Sequence, residues 1–399
     1  MSGVRVVITG AGTINACGVG VPATVEAMRA GRSAIGPLAI RDASRLAAPV
    51  GAAIRDYDAA ARFTRAELAL YDPVTQYALI AAEEAMGQAG LAPGGFDPER
   101  AGVAIGTSGG GLQTQDENYR LVYAEGRDRV HPFTVPRLMN NAPPAHLSMR
   151  WGLKGPSMTV STACASSNHA LAQAVLWLRA GLTDVVVCGG TEAMLCFGGL
   201  KAWEGLRVMA RDTCRPFCAT RTGMVQGEGA AVFVLETEAH ARARGARALA
   251  VVAGVAMGSD AADIVQPACE GAERVMRLCL RDAGLAAGDV GYVNAHGTGT
   301  AANDRTEAAA IAAVLDDVPV SSTKAVHGHC IGAAGAIELL AGLSALDGVI
   351  PPTANWREAD PDCPIDCVPE GARAANVDAV LSNAFAFGGH DAVVALTRA

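Results

Sequence analysis

Short apolar runs alternate along the chain with longer Ala-rich or amphipathic stretches, the pattern of strands and helices packed around a largely parallel sheet. Val4–Gly12 (VRVVITGAG) predicts a buried strand ending in a glycine turn, followed by a helix over Pro22–Ala30. Arg32–Thr64 is irregular, with Gly, Pro and scattered charge. Asp72–Ala89 predicts an amphipathic helix, and Gly102–Gly106 (GVAIG) a strand opening into Thr107-Ser108-Gly109-Gly110-Gly111. Leu112–Gly152 carries Pro132, Pro136, Pro143 and Pro144, so it reads as a long excursion of short helices, usually a lid or a subunit contact. Thr159–Thr162 leads through Ala163-Cys164-Ala165 into a helix-forming run, His169–Leu178. Strands follow at Asp184–Gly190 and within Gly223–Glu236, then a charged connecting helix toward Ala250. The alternation resumes with strands at Ala248–Val255, Val290–Ala295 and Val318–Ser322. Helices are expected over Ala272–Ala283, Thr306–Leu315 and Ile331–Leu346, and closing strands near Ala379–Leu381 and Ala392–Leu396.

The two halves resemble each other. A shift of 165 residues (329 − 164) lays the Cys164 segment on the His329 segment, each opening an apolar, Ala-rich helix. GVAIGTSGG likewise matches YVNAHGTGT, whose turn carries His296. A duplication of strand–helix halves, 1–245 and 246–399, brings equivalent strand ends together near a pseudo-two-fold axis, where open α/β sheets bind ligands. Cys164, His296 and His329 are therefore expected to converge.

Composition narrows the classes. The 399 residues are half apolar with 46 glycines, suiting a large, tightly packed α/β protein. A net charge of -8 speaks against a nucleic-acid surface. No apolar run reaches a membrane span, and no signal-peptide pattern opens the sequence. Eleven cysteines then imply reduced thiols and a cytoplasmic location. Cys214/Cys218 and Cys363/Cys367 lack zinc-knuckle spacing and no histidine follows at ligand distance, so free thiols and no metal are expected. GAGTINACG does not fit the GxGxxG spacing of a dinucleotide site.

Cys164, between a strand and a helix N-terminus, is expected to have a lowered pKa and to act as a nucleophile; the alternative is one more buried cysteine. His296 sits in a glycine turn (NAHGTGT) with Asp304 and Glu307 beyond it. His329 precedes a helix, with Lys324 five residues upstream. Either histidine alone is more often structural; two in equivalent turns of a repeat that holds a cysteine suggest one site.

Cys164 in TACASS, His296 in NAHGTGT and His329 in KAVHGHCIGAAGA resemble the Cys-His-His site of the β-ketoacyl-[acyl-carrier-protein] synthases. GTSGGGL, GMVQGEGA and SNAFAFGG extend the resemblance over nearly the whole chain. The resemblance implies a thiolase-like fold: duplicated βαβαβαββ halves in a five-layer αβαβα sandwich, working as a homodimer or as a heterodimer with a chain-length-factor-like paralogue. It also implies that Cys164 takes an acyl chain from carrier-protein phosphopantetheine, with no other cofactor. His296 and His329 then stabilise the enolate from decarboxylating malonyl-carrier protein, and that carbanion attacks the acyl-cysteine.

The same resemblance makes Lys324 and Glu307 a supporting pair, with a plain surface salt bridge as the bland reading. It makes Phe387 a gate beside Phe385, and the backbone N–H groups of Cys164 and Phe387 an oxyanion hole. It places Thr298, Thr300, Gly109 and Thr134 around the substrate, and Arg62, Arg65, Lys201 and Arg207 at an acyl-carrier-protein docking rim. Departures from the family's pattern point to a specialised pathway rather than housekeeping elongation. Ala384 and Ala386 stand for loop glycines and imply a stiffer gate. Gly109 stands for a bulky aliphatic pocket residue and Thr134 for an aromatic that the partner subunit's excursion contributes, and both imply room for a long acyl chain. A thiolase using Cys330 as base and a non-catalytic chain-length factor are the alternatives. The second lacks the nucleophile that this chain retains.

Overall fold

The computed structural model describes residues 3–55, 57–369 and 371–399. Its main strands are β1 (Val6–Asn15), β2 (Ala101–Gly106), β3 (Ser157–Val160), β4 (Val185–Glu192), β5 (Gly229–Thr237), β6 (Ala250–Ser259), β7 (Tyr292–Asn294), β8 (Pro319–Ser321), β9 (Asp366–Cys367), β10 (Ala379–Ala386) and β11 (His390–Thr397). They form one hydrogen-bonded sheet in the order β9-β8-β7-β10-β11-β6-β1-β5-β4-β2-β3. Read outward from the centre, β1-β5-β4-β2-β3 and β6-β11-β10-β7-β8 have the same order. They also share the same directions: two antiparallel pairings, then two parallel ones. The halves join where β1 pairs with β6, Val6 opposite Val252 and Ile8 opposite Ala250.

Side-chain alternation builds the layers. On one face of the N-terminal half, Val103, Ile105, Val185 and Val187 pack under helices α1 (Pro73–Ala89) and α2 (Ala142–Trp151). The intervening Ala104, Val186 and Cys188 face inward onto α3 (Ser166–Arg179) and α6 (Ala334–Leu346), which Val380 and Val394 of the other half cover from behind. Helices α4 (Cys269–Ala283) and α5 (Ala301–Val314) close the far side over Val293, Leu381 and Val393. Helix, sheet, helix, sheet, helix is the thiolase-like sandwich. Helix sequence follows position. Central α6 is small or aliphatic apart from Glu338 and Ser344 and is buried nearly all round, whereas α4 turns Val275, Met276, Cys279 and Leu280 inward and its arginines out. Helix α1 is capped by Asp72, whose side chain accepts from Val74 N, carries Pro73 at its first position and ends at left-handed Gly90.

Four expectations are corrected. β1 does not turn at its glycines but runs through them. A Cβ on Gly10 or Gly12 would lie 2.0 Å from the Ala85 or Ala81 carbonyl oxygen, so the glycines let α1 lie against the strand. Helices α3 and α5 begin earlier than expected, at Ser166 and Ala301: the polar first turn of α3 is buried, whereas α5 opens on exposed Ala301 and Ala302. The charged stretch after Glu236 yields only a short helix, Glu238–Ala243. Ala384 and Ala386 belong to β10, paired with Ala392 and His390, so the turn is confined to Phe387-Gly388-Gly389 and those alanines do not stiffen a loop.

Candidate active site

Cys164 and His329 occupy the matching corners after the third parallel strand of each half, β3 and β8. At the first corner Ala163 is left-handed (φ 47°), an uncommon conformation for a residue with a Cβ. Ser166 locks it: its hydroxyl donates to Ala163 O (2.6 Å) and accepts from Thr162 N (2.9 Å). At the second corner Ile331 is left-handed too (φ 43°), and its N–H donates to His329 Nδ1 (3.1 Å). With Nδ1 occupied as an acceptor, the His329 ring proton resides on Nε2, which lies 3.2 Å from Cys164 Sγ. His296 follows β7, edge-on to His329 with ring centroids 5.4 Å apart. Lys324 Nζ lies 3.3 Å from its Nδ1 and donates to its carbonyl oxygen (2.5 Å). An ammonium only donates, so His296 also carries its proton on Nε2.

Burial, and then the charge of Lys324, hold both histidines well below the usual imidazole pKa, so both are neutral donors at pH 7. Cys164 departs from expectation. It is 5% exposed, and burial pushes its thiol up to about 12, with Lys324 opposing and Glu192 and Glu338 adding to the rise. The helix-terminus argument for a lowered pKa neglects this desolvation, so the resting group is a thiol. A thiol and two imidazoles within 4.8 Å are the only metal-sized cluster among the described residues. Both inward-facing Nε2 atoms carry protons, an arrangement made for donating hydrogen bonds rather than for ligation. All eleven cysteines are free.

The support around the histidines differs from the expected Lys324–Glu307 pair. Lys324 is ion-paired with Glu338 of α6, both fully buried, which excludes a surface salt bridge. Glu307 instead accepts from His296 N and Gly297 N (2.7 Å each) and from Asn383 Nδ2 (3.2 Å), fixing the turn that aims His296. Asp304 accepts from Phe217 N (2.8 Å) and Gly299 N (3.1 Å), a structural role. The sequence reading missed Glu192 as well as Glu338. From the end of β4, Glu192 accepts from Ser108 N, Gly109 N and Gly332 N (2.8–3.0 Å), tying the turn after β2 to the start of α6. Burial raises both Glu192 and Glu307 to about 7. A glutamate closing the otherwise apolar β4 run was the available signal.

A cleft of about 740 Å³, part of it open to solvent, leads to Cys164, His296 and His329. Phe385, Phe387, Thr298 and Thr300 line it as expected, together with Trp203, Val208, Met224 and Asp260. Phe385 meets His296 edge-on, and Phe387 stacks on Trp203 with centroids 5.9 Å apart. Gly109 does not line the cleft: Met194 lies against it, within 3.2 Å of where a Cβ would stand, and fills the expected room. Thr134 does not line this chain's cleft either, its hydroxyl being bonded to His131 O (2.6 Å) and Asn118 Oδ1 (3.2 Å). Of the four basic residues, Lys201 is paired with Glu204 (2.8 Å) and so is not a free cation, and Arg62 lies 3.9 Å from Glu83. Arg65 and Arg207 are exposed, the latter next to cleft-lining Val208.

The family models for the β-ketoacyl synthase N-terminal and C-terminal domains match residues 4–241 and 249–357. The chain belongs to the β-ketoacyl synthase family. This synthase is 48% identical over 402 residues to Nodulation protein E of Rhizobium leguminosarum bv. trifolii, covering 99% of each. It is 36% identical over 407 residues to 3-oxoacyl-[acyl-carrier-protein] synthase 2 of Synechocystis sp., covering 99% of this chain and 98% of the relative. The solved structure of the ishigamide ketosynthase/chain length factor superposes with a TM-score of 0.95 at 34% identity, covering 99% of each chain. Family membership makes the synthase a condensing acyltransferase. No helix among the described residues is long and apolar enough to cross a membrane.

Proposed function

We propose that this chain is a β-ketoacyl-[acyl-carrier-protein] synthase that joins a malonyl unit to an acyl chain held on Cys164, in a specialised pathway of the nodulation type. One observation carries the catalytic reading: Cys164 Sγ lies 3.2 Å from Nε2 of neutral His329, and neutral His296, edge-on to that ring, brings a ring nitrogen within 4.8 Å of both. In the first step the Cys164 sulfur attacks the acyl thioester of the carrier protein. A C–S bond forms, the bond to pantetheine breaks, and the Cys164 proton passes to the departing sulfur. In the second, malonyl-carrier protein loses CO₂, and the electron pair of the broken C–C bond moves onto the thioester oxygen, where His296 and His329 Nε2–H donate to it. In the third, the enolate carbon attacks the acyl-Cys164 carbonyl, the oxyanion faces the N–H groups of Cys164 and Phe387, and collapse releases the cysteine sulfur, which regains a proton from water.

Residues 1–245 and 246–399 act as the two halves of this machine, Phe387 gates it, and Phe385, Thr298 and Thr300 border the substrate. Phosphopantetheine on the carrier protein is the only prosthetic group required. Arg65 and Arg207, with Arg62 and Lys201 at the rim, meet the acidic carrier protein. Dimerisation through the Leu112–Val160 region is supported by its exposed Tyr119, Tyr123, Phe133, Val135 and Met149 and by β3 at the sheet edge. The 48% identity to Nodulation protein E supports the specialised pathway over housekeeping elongation. The thiolase alternative lacks its base: Cys330 is buried and its thiol is directed at His327 O (3.5 Å). Intact-mass measurement after incubation with acyl-carrier protein should show one acyl group on the wild type and none on Cys164→Ala. Cys164→Gln should release CO₂ from malonyl-carrier protein without condensing. Condensation by Cys164→Ala would refute the reading.

A further inference from the structure

Two aspartates meet where β6 hands over to α4. Asp260 follows β6, and Asp391 is the second residue of β11, opposite Gly258 of β6. A Cβ on Gly271 would stand 1.5 Å from Asp260 Oδ1 and 3.1 Å from Asp391 Oδ2, so both oxygens converge on a space that only a glycine leaves open. Both atoms are buried, and neither has a hydrogen-bond partner among the described residues. The other Asp260 oxygen, Oδ2, accepts from Ala268 N (3.0 Å). The charged groups around the pair are engaged elsewhere. Arg274 of α4 donates to Ser259 O (2.7 Å), and Glu307 of α5 accepts from His296 N and Gly297 N. Asp263 accepts from Val265 N and Gln266 N, and His390 lies against Gly388 and edge-on to His169. Two buried carboxyl oxygens turned to one point without a donor repel each other unless a proton bridges them. Burial, then the Asp260 carboxyl, push Asp391 up to about 9, with Arg274 opposing and Glu307 adding to the rise.

The pair sits at the root of a segment that forms one side of the cleft. Residues 260–268 contribute Asp260, Asp263, Val265, Gln266 and Pro267 to its lining, and the Phe387-Gly388-Gly389 turn lines it too. Segment and turn are joined by two backbone bonds, Asp260 N to Gly389 O (2.9 Å) and Gly388 N to Ile264 O (2.8 Å). Ile264 is 74% exposed and Ala261 is left-handed (φ 52°), so apolar burial adds little there and the backbone is held against its preference. We infer that Asp260 and Asp391 share one proton, and that this proton clasps residues 260–268 onto the Phe387–Gly389 turn and so sets the shape of the cleft. With the proton in place the pair is a carboxyl–carboxylate hydrogen bond. Once it is lost, two buried like charges face each other, and the segment moves away to hydrate them. The clasp is therefore closed at neutral pH and opens as pH rises through about 9, where the Asp391 carboxyl titrates. Asp260 and Asp391 are positioning residues, and the clasp acts whatever acyl group the synthase transfers.

The test digests the full-length protein with subtilisin at about pH 7 and about pH 10, on either side of the Asp391 titration. Rates are corrected against an unstructured peptide, and cuts within residues 260–268 are located by mass spectrometry. In the wild type that cutting should speed up at least about tenfold between the two conditions, the effect of losing one charge-assisted hydrogen bond. Asp391→Asn keeps a donor toward Asp260 that no pH removes, so its ratio should stay within about twofold. Asp260→Asn places its amide toward Asp391, should behave in the same way, and decides the matter if Asp391→Asn does not fold. Asp391→Ala has no clasp at either pH and should be cut near neutrality as fast as the wild type is in alkali. The same ordering should appear in the KM for CO₂ release from the malonyl thioester of N-acetylcysteamine. A wild type cut equally fast in both conditions, or an Asp391→Asn variant with the wild-type pH dependence, would overturn the clasp. A wild type that releases no CO₂ would overturn the condensing function instead, and the digestion still decides the clasp.

Discussion

Lys324→Met removes the cation that both balances Glu338 and sets the protonation of His296. Lys324 and Glu338 are fully buried, and the Glu338 carboxylate has no hydrogen-bond partner besides this ion pair among the described residues. Removing one member of such a pair costs about 3–5 kcal/mol, a large share of the ~5–15 kcal/mol that holds a typical fold. The cost depends on pH. Burial raises the Glu338 pKa, and without Lys324 nothing opposes that rise. Below its unfolded pKa the carboxyl is neutral in both states and the penalty is small; it grows as pH climbs from there toward the folded value. The double variant Lys324→Met/Glu338→Leu removes both charges, and its stability should return close to wild type, since apolar replacement of a buried pair is often neutral. Its chemistry should not return. His296 Nδ1 loses the ammonium that fixed its tautomer, and malonyl decarboxylation should fall by about one to two orders of magnitude, the usual cost of losing an orienting partner. Denaturant unfolding followed by circular dichroism, and CO₂ release from malonyl-carrier protein, measure the two effects separately. A single variant as stable as wild type, or a double variant with undiminished decarboxylation, would refute the argument.

His296→Ala and His329→Ala should still be acylated at Cys164, because neither removes the nucleophile. Each should lose about two to three orders of magnitude in decarboxylation, the cost of an oxyanion-type donor; the opposite pattern, decarboxylation without acylation, would reverse their roles. Asp391, beside the cleft-lining turn, is pushed up to about 9 by burial and by the neighbouring Asp260 carboxylate. The folded state keeps a proton there that the unfolded chain gives up near pH 4, so stability should decline as pH rises from about 4 toward 9, by at most ~1.4 kcal/mol per unit. Asp391→Asn should flatten this slope between pH 6 and 9 in thermal unfolding; an unchanged slope would assign it to other groups.

The strand–helix alternation is legible because strands covered on both faces must be apolar along their length, as VVVCGG and VVITGAG are. The duplication is legible for a related reason: equivalent corners demand similar residues, so Cys164 and His329 align. What stays hidden is what depends on a distant neighbour. Gly10 and Gly12 look like a turn until α1 is placed against them. Glu338 lies in an otherwise apolar helix, and only the fold shows that it answers Lys324, 14 residues earlier (338 − 324). Gly109 reads as empty space because no local pattern announces that Met194 fills it. The Cys164 pKa fails in the same way. The helix terminus is visible in sequence, but the enclosure by Met224 and Ile331 that outweighs it is tertiary.

The two halves also divide the chemistry, and the buried carboxylates show how. After β7, Glu307 holds the backbone of His296 and Gly297; after β2, the equivalent strand, Glu192 holds Ser108 and Gly109. Each half thus fixes the turn after its second strand with a carboxylate accepting backbone N–H groups, but only the C-terminal turn carries an imidazole. The N-terminal turn carries glycine and receives the Met194 side chain instead. In the same way the third-strand corner holds a nucleophile in one half and a donor in the other. A shared frame has therefore been filled with complementary groups: a thiol from the N-terminal half, imidazole hydrogen-bond donors from the C-terminal half. Glu192 joins them, because its third bond is to Gly332 N, at the start of the segment that carries His329. Shifting that one carboxylate would disturb the Ser108–Gly109 turn and the His329 corner together. Neither half could then be altered there without the other, which is why the site reads as one unit despite its origin in two.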